Sequence, residues 1–281
     1  MTMLHRHWRR RASLSTSLSP SSLGPRPAAA AKRFYKRTGV AEAEGGYVVT
    51  LDHRTLKSPA RNDLVLPSRA LALAVSAEWD AQTSVIEPVA MPLMSLAATA
   101  VDQVTRERDF VLQNVANYAR TDTTCFLAGE ADEPALHALQ CRHYLPLVEW
   151  LTETYGVALR PGFGVSHRPA SPADVLALKA EIDERKTNHW HLAALQCATQ
   201  ECKSLVIALA LLERRIDADQ AETAARLEEN VQIERWGLVE GAHDYDLARI
   251  KIRLASASLF VDLTTTSADD DLITAAGAAE G

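Results

Sequence analysis

The chain has 281 residues, 30 basic against 36 acidic side chains for a net charge of −6, and 47% hydrophobic against 23% charged residues. That is enough material for one large domain or two small ones with a sizeable core. It excludes a spanning helix, since the longest apolar run, Leu205–Leu212, falls far short of the ~18 residues a membrane span needs, and an acidic balance argues against non-specific nucleic-acid binding.

Residues 1–31 read as a mitochondrial transit peptide, disordered as a segment. They hold Arg6, Arg9, Arg10, Arg11 and Arg26, many Ser and Ala, and no acid; the first acidic residue is Glu42. Leu14 and Leu18 are interrupted by serines, so the apolar core of a secretory signal is missing. Residues 32–281 keep 25 basic residues against all 36 acidic ones, a balance of −11.

Residues 32–92 are expected to form a β-rich N-terminal domain with one helix. Tyr47–Leu51 is β-branched and aromatic, Asp52-His53 reads as a hairpin tip returning through Thr55–Lys57, and Leu64–Leu66 is a third short apolar run. Ser68 reads as an N-cap, after which Leu71, Val75 and Trp79 recur on one helical face.

Residues 93–264 are expected to form a larger multi-helical domain. Leu96, Ala97, Ala100, Val101 and Val104 repeat the helical spacing, and Phe110, Val111, Val115 and Tyr118 carry a further helix. Pro134 opens a helix that Gly156 stops, with Leu139, Leu147, Trp150 and Leu151 on its apolar side and Pro146 as a kink or break. Residues 160–169, with two glycines and two prolines, form a loop. Ser171-Pro172-Ala173-Asp174 starts another helix, followed by helical stretches near His191–Cys197 and Cys202–Arg215. Asp217 with Gln220 opens a helix predicted to end at Trp236-Gly237, and a last one runs from about Asp244 with Leu247, Ile250, Leu254 and Val261 on one side. Residues 265–281, with Asp269, Asp270 and Asp271, read as a disordered acidic tail.

Standard catalytic patterns are missing: no G-x-S-x-G, no G-x-x-x-x-G-K-[ST] and no G-x-G-x-x-G. Cys125, Cys141, Cys197 and Cys202 contain no C-x-x-C pair and read as buried thiols. Glu240-Gly241-Ala242-His243 is an E-x-x-H that, with Asp244, could serve a metal-dependent matrix enzyme. Carboxylate-bridged di-metal bundles need two such motifs and two more glutamates, and Gly241 disfavours a helix there, so these residues read instead as a polar turn before the last helix. His189 and His191 lack evident metal partners. No metal, cofactor or catalytic residue is expected.

Several blocks carry a resemblance: Arg33–Lys36; Leu51–Pro59; Leu66-Pro67-Ser68 leading to Glu78–Gln82; Met91-Pro92-Leu93; Thr99–Asp102; Tyr118 with Asp122–Cys125; and Trp150 with Tyr155-Gly156. The densest come last, at Lys203–Val206, Ala208–Leu211, Leu227-Glu228-Glu229, Gln232, Trp236–Glu240 and His243-Asp244. In this order over residues 32–260 the chain resembles the mitochondrial F1-ATPase assembly factors of the ATP12 type, chaperones of the ATP synthase alpha subunit. It departs from them at His53, where the family usually has a turn glycine, at Tyr144, where a tryptophan is expected, and at Phe126-Leu127.

The resemblance implies an α+β fold, a small β-rich part followed by a larger helical one, and function without catalysis. Such factors bind the unassembled alpha subunit transiently in the mitochondrial matrix, keep it from aggregating, and release it when the beta subunit takes its place. It implies neither stable membrane association nor a bound cofactor, and a monomer is expected. The family's sensitive acids fall by motif at Glu229, Glu240 and Asp244, while Glu228 reads as a solvated helix face. Trp79 and Trp236, with Gly237, are expected as structural anchors, the two tryptophans in the core. Residues 201–281 carry 16 acidic against 8 basic residues, suited to steering a partner of complementary charge.

Overall fold

The computed structural model describes residues 31–164, 166–185, 188–237 and 242–265, without the side chains of 242–246. The transit-peptide reading of residues 1–31 and the tail reading of 265–281 lie outside them except at Ala31, whose carbonyl accepts from Ile86 N at 2.8 Å, and Thr265, which ends the last helix. The fold is α+β: a three-stranded antiparallel meander precedes a helical body.

Strands β1 (Thr38–Ala43) and β2 (Gly46–Leu51) pair from Thr38↔Leu51 to Ala43↔Gly46, and β3 (Arg54–Thr55) continues from Leu51↔Arg54. The second turn remains the two residues Asp52-His53. Its left-handed conformation falls on Asp52, at φ 56°, and not on His53, so histidine at the family's glycine position meets no backbone penalty. The Asp52 carboxylate accepts from the Lys36 and Arg37 amides, both at 3.0 Å; these two donors hold its pKa below the ordinary value. The apolar run before Pro67 is no separate strand. Leu66 alone exchanges two backbone hydrogen bonds with Tyr47, approaching so closely that a Cβ on Gly46 would meet Leu66 O at 2.2 Å.

Helix α1 (Arg69–Asp80) starts at Ser68, whose hydroxyl accepts from Leu71 N at 3.0 Å and donates to Leu263 O near the end of the last helix. Leu71, Val75 and Trp79 are buried as their spacing predicts. Trp79 meets the Tyr35 ring edge-on at 5.6 Å, and Tyr35 Oη donates to Trp79 O at 2.6 Å.

α2 (Pro92–Thr99), a π-helical turn at Ala100–Val104 and α3 (Thr105–Asn117) form one continuous path. Of the residues predicted to be apolar along it, Leu96, Ala97, Ala100, Val104, Val111 and Val115 are buried, but Phe110 is exposed. α4 (Pro134–Tyr155) runs through Pro146 without a break and ends at Gly156, at φ 67°. α5 (Pro172–Glu184) opens on a full capping box between Ser171 and Asp174.

α6 (His189–Cys202) and α7 (Leu205–Leu212) are joined by Lys203-Ser204, with Lys203 left-handed at φ 52°. All eight residues of α7 are buried, as a helix apolar all round must be. α8 (Ala218–Ala225), α9 (Leu227–Trp236) and α10 (Ala242–Thr265) complete the body. One cluster of buried side chains runs from Tyr35 to Val261. Among the described residues no helix is long and apolar enough to cross a membrane.

Candidate functional site

Three buried or half-buried carboxylates explain why blocks distant in sequence stand where they do. Glu78, on α1, accepts from Leu93 N at 2.8 Å and Met94 N at 2.7 Å, capping α2, whose own preceding residue Met91 has no capping side chain. Burial pushes the Glu78 carboxyl up, against those two amides. Asp102, carried by the π-helical turn, accepts from Ser58 Oγ, Asn62 Nδ2 at 2.7 Å and Ala60 N at 3.0 Å. Burial raises its pKa, but these donors outweigh burial and hold the group below the usual value.

Asp122 is fully buried. It accepts from Ser204 Oγ at 2.6 Å, Leu205 N at 2.7 Å, Val206 N at 3.1 Å, and the amide and hydroxyl of Thr124. It therefore sits on the N-terminus of α7, where amide dipoles favour an anion. Burial pushes its pKa up against those donors. None of the three carboxylates stands out by spacing, because each caps or ties a segment many residues away.

α9 packs against α4, away from the Glu78 and Asp102 ties. The expected single helix from Asp217 to Trp236 is two helices. The Asp217–Gln220 capping box forms, but the chain leaves helical geometry at Arg226, at φ −109° and ψ 11°. The Arg226 guanidinium is buried, with Nη2 2.9 Å from Glu229 and Nε 3.8 Å from Glu222. A buried cation demands carboxylate partners, and Glu222 and Glu229, one helical turn to either side, supply them. Glu229 is thus engaged by Arg226.

Glu228 is exposed, as a solvated face predicts, yet it is not idle. Its Oε1 accepts from Gln140 Nε2 at 2.8 Å, while Gln140 Oε1 accepts from Ala128 N at 2.6 Å. The buried Gln140 amide thereby links α4, α9 and the loop after Cys125. Tyr144, one helical turn further on α4, is wholly buried, and its hydroxyl has no hydrogen-bond partner among the described residues.

Trp236 corrects the expectation of a core anchor: it is 76% exposed at the end of α9. Only Leu227 of α9 is buried, so by Trp236 the helix has run out over the surface. Trp79 is in the core, 8% exposed. Gly237 ends α9 at φ 87°, a conformation that favours glycine. Trp236 lines a cleft of 460 Å³ with Phe126, Leu127, Leu136, Val231 and Arg235. Arg235 crosses its edge to Glu133 at 2.7 Å.

Glu240 lies outside the described residues. Asp244 and His243 fall in the first turn of α10, their side chains likewise outside, so the E-x-x-H reading has no described geometry. Among the described residues no group of three or more His, Cys, Asp or Glu side chains is placed to hold a metal ion. The site is a cleft with an exposed aromatic rim. Its lining mixes the apolar Phe126, Leu127, Leu136 and Val231 with the charged Glu133, Glu228 and Arg235.

A family profile described as ATP12 chaperone protein matches residues 32–152. The fold is similar to the crystal structure of Atp12 from Paracoccus denitrificans, at 35% identity and a TM-score of 0.74, covering 83% of this chain and 98% of that one. The chain is also 28% identical over 256 residues to the mitochondrial protein atp12 of Schizosaccharomyces pombe, covering 86% of each. It is 26% identical over 255 residues to the mitochondrial ATP12 of Saccharomyces cerevisiae, covering 77% of this chain and 78% of that one.

Proposed function

Because the chain belongs to the ATP12 family of assembly chaperones, we propose that it binds the unassembled alpha subunit of F1-ATPase in the mitochondrial matrix, after residues 1–31 are removed. It binds transiently, as a monomer and without catalysis, and hands the subunit to the beta subunit. The observation that carries this reading is the likeness to the Paracoccus denitrificans Atp12 structure along nearly its whole length. The cleft adds a physical rationale. A free ring subunit exposes apolar surface that will later be buried, and such surface aggregates unless it is covered.

In this proposal Trp236 is the aromatic anchor, and the cleft wall of Phe126, Leu127 and Val231 supplies contact area. The acids Glu240, Asp244 and Glu229 set orientation, with Glu229 acting through Arg226 as well as directly. Reversibility follows from a lining that mixes apolar with charged side chains, since buried area alone does not make an interface permanent.

The test is a pull-down with the chain as bait and free alpha subunit as prey at low salt. Alpha subunit should be retained, be released on adding beta subunit, and be lost with Glu240→Lys. No retention by the unaltered chain ends the proposal.

A further inference from the structure

Cys141 stands apart from the other thiols. Cys125, Cys197 and Cys202 are buried, and burial pushes all three thiols up, Cys125 to about 12. They are protonated and shielded at neutral pH, and so inert. Cys141 is partly exposed on α4, one helical turn after His137. Its Sγ lies 3.4 Å from His137 Nε2, and His137 Nδ1 lies 2.8 Å from the Ala128 carbonyl oxygen.

A carbonyl can only accept, so Nδ1 carries the proton of the neutral ring and Nε2 is left as a bare acceptor facing the thiol. Nucleophile, base and a group that orients the base are thus within hydrogen-bond reach of one another. Nothing in the client-binding reading uses this arrangement.

We infer that Cys141 is a thiol-modification site that exchanges with a small disulfide of the glutathione class, with His137 as its base. Nε2 takes the Sγ proton as Sγ attacks one sulfur of the incoming disulfide. The new S–S bond joins Cys141 to that half, the incoming S–S bond breaks, and His137 returns the proton to the departing thiolate. The incoming disulfide is the oxidant, and the released thiol is its reduced half.

The position gives the adduct a consequence, which rests on the proposed client binding. The ring that accepts from Cys141 also holds Ala128, and Ala128 lines the cleft beside Trp236. A bulky group on Sγ takes the thiol from Nε2 and displaces the ring, so the cleft wall keeps the Gln140 bond to Ala128 N but loses its second tie to α4, at Ala128 O. The modified chain should hold its client less well.

The experiment treats the reduced full chain with glutathione disulfide and follows intact and peptide mass. One adduct on Cys141 is expected, none on Cys141→Ser, and a rate lower by roughly tenfold or more for His137→Gln. A second measurement needs no variant: Cys141 should react faster with iodoacetamide in the native chain than in the same chain unfolded in urea. An adduct confined to other cysteines, an unslowed His137→Gln, or a native rate at or below the unfolded one overturns the site. Retention of alpha subunit by reduced and glutathionylated chain then tests the consequence, and equal retention overturns it. If even the reduced chain retains no alpha subunit, the client reading falls while the exchange measurements stand.

Discussion

At the corner where the sheet meets α1 and α2, long-range hydrogen bonds join nearly every segment: Tyr35 to Trp79, Glu78 to Leu93 and Met94, Asp102 to Ser58, Ala60 and Asn62. Helix α9 is held otherwise. It buries Leu227 alone and depends on the Glu228–Gln140 hydrogen bond and the ion pairs of Arg226 and Arg235. The corner cannot loosen one element without exposing buried polar groups, whereas α9 is anchored at its start by the buried Arg226 and held towards Trp236 by the solvent-screened Arg235–Glu133 pair, so its far end can fray at little cost. Under the proposed function, a scaffold and a contact face of different stabilities would suit a chain that must both hold and release a client.

The largest test of that contrast is Trp79→Arg. It buries a charge against the Tyr35 ring, with the Arg33 guanidinium already 4.7 Å from that ring, and should cost about 4 kcal/mol or more. A soluble variant with an unchanged melting curve would break the comparison at its rigid end. Next is Asp122→Ala, which strands the amides of Leu205 and Val206 and two hydroxyls around a sealed site. A loss of roughly 3 kcal/mol in urea unfolding is expected; a loss under about 1 kcal/mol would mean that α7 does not depend on this cap.

Tyr144→Phe runs the other way. Removing a buried hydroxyl that has no partner among the described residues should raise stability by about 1 kcal/mol, read as a higher urea midpoint at constant slope. A drop would show that the hydroxyl is satisfied after all. Smallest of all in stability is Trp236→Ala, expected within about 0.5 kcal/mol of the unaltered chain while alpha-subunit retention falls sharply. A large fall in melting temperature would return Trp236 to the role of anchor and erase the distinction between the two regions.

What could be read along the chain was whatever acts over one or two turns. The Ser68 cap, the helix start at Ser171–Asp174, the Asp217–Gln220 box, the Pro134 start and the Gly156 stop are signals between near neighbours, and all are present. The buried stripe of α1 follows from the same periodicity. Spacing failed where a side chain answers to something remote. Arg226 looks like any helical arginine, and neither its burial nor the helix break at its position shows in the spacing. Trp236 falls on an apolar period that meets no facing surface. Of the candidate site, the Leu227–Trp236 segment was legible as important through its likeness to a family, but its cleft was not, because Phe126, Leu136 and Gln140 come from loops and helices some hundred residues earlier.

The amino-acid order alone therefore determined the strand-then-helix succession, most helix ends and the surplus of acid, since local backbone preference and side-chain patterning act within a few residues. Tertiary structure decided which carboxylates cap which helices, which tryptophan is hidden and which is displayed, and which one of four thiols faces a histidine. Each of those outcomes depends on desolvation by partners far off in the chain, and no short window of sequence contains that quantity.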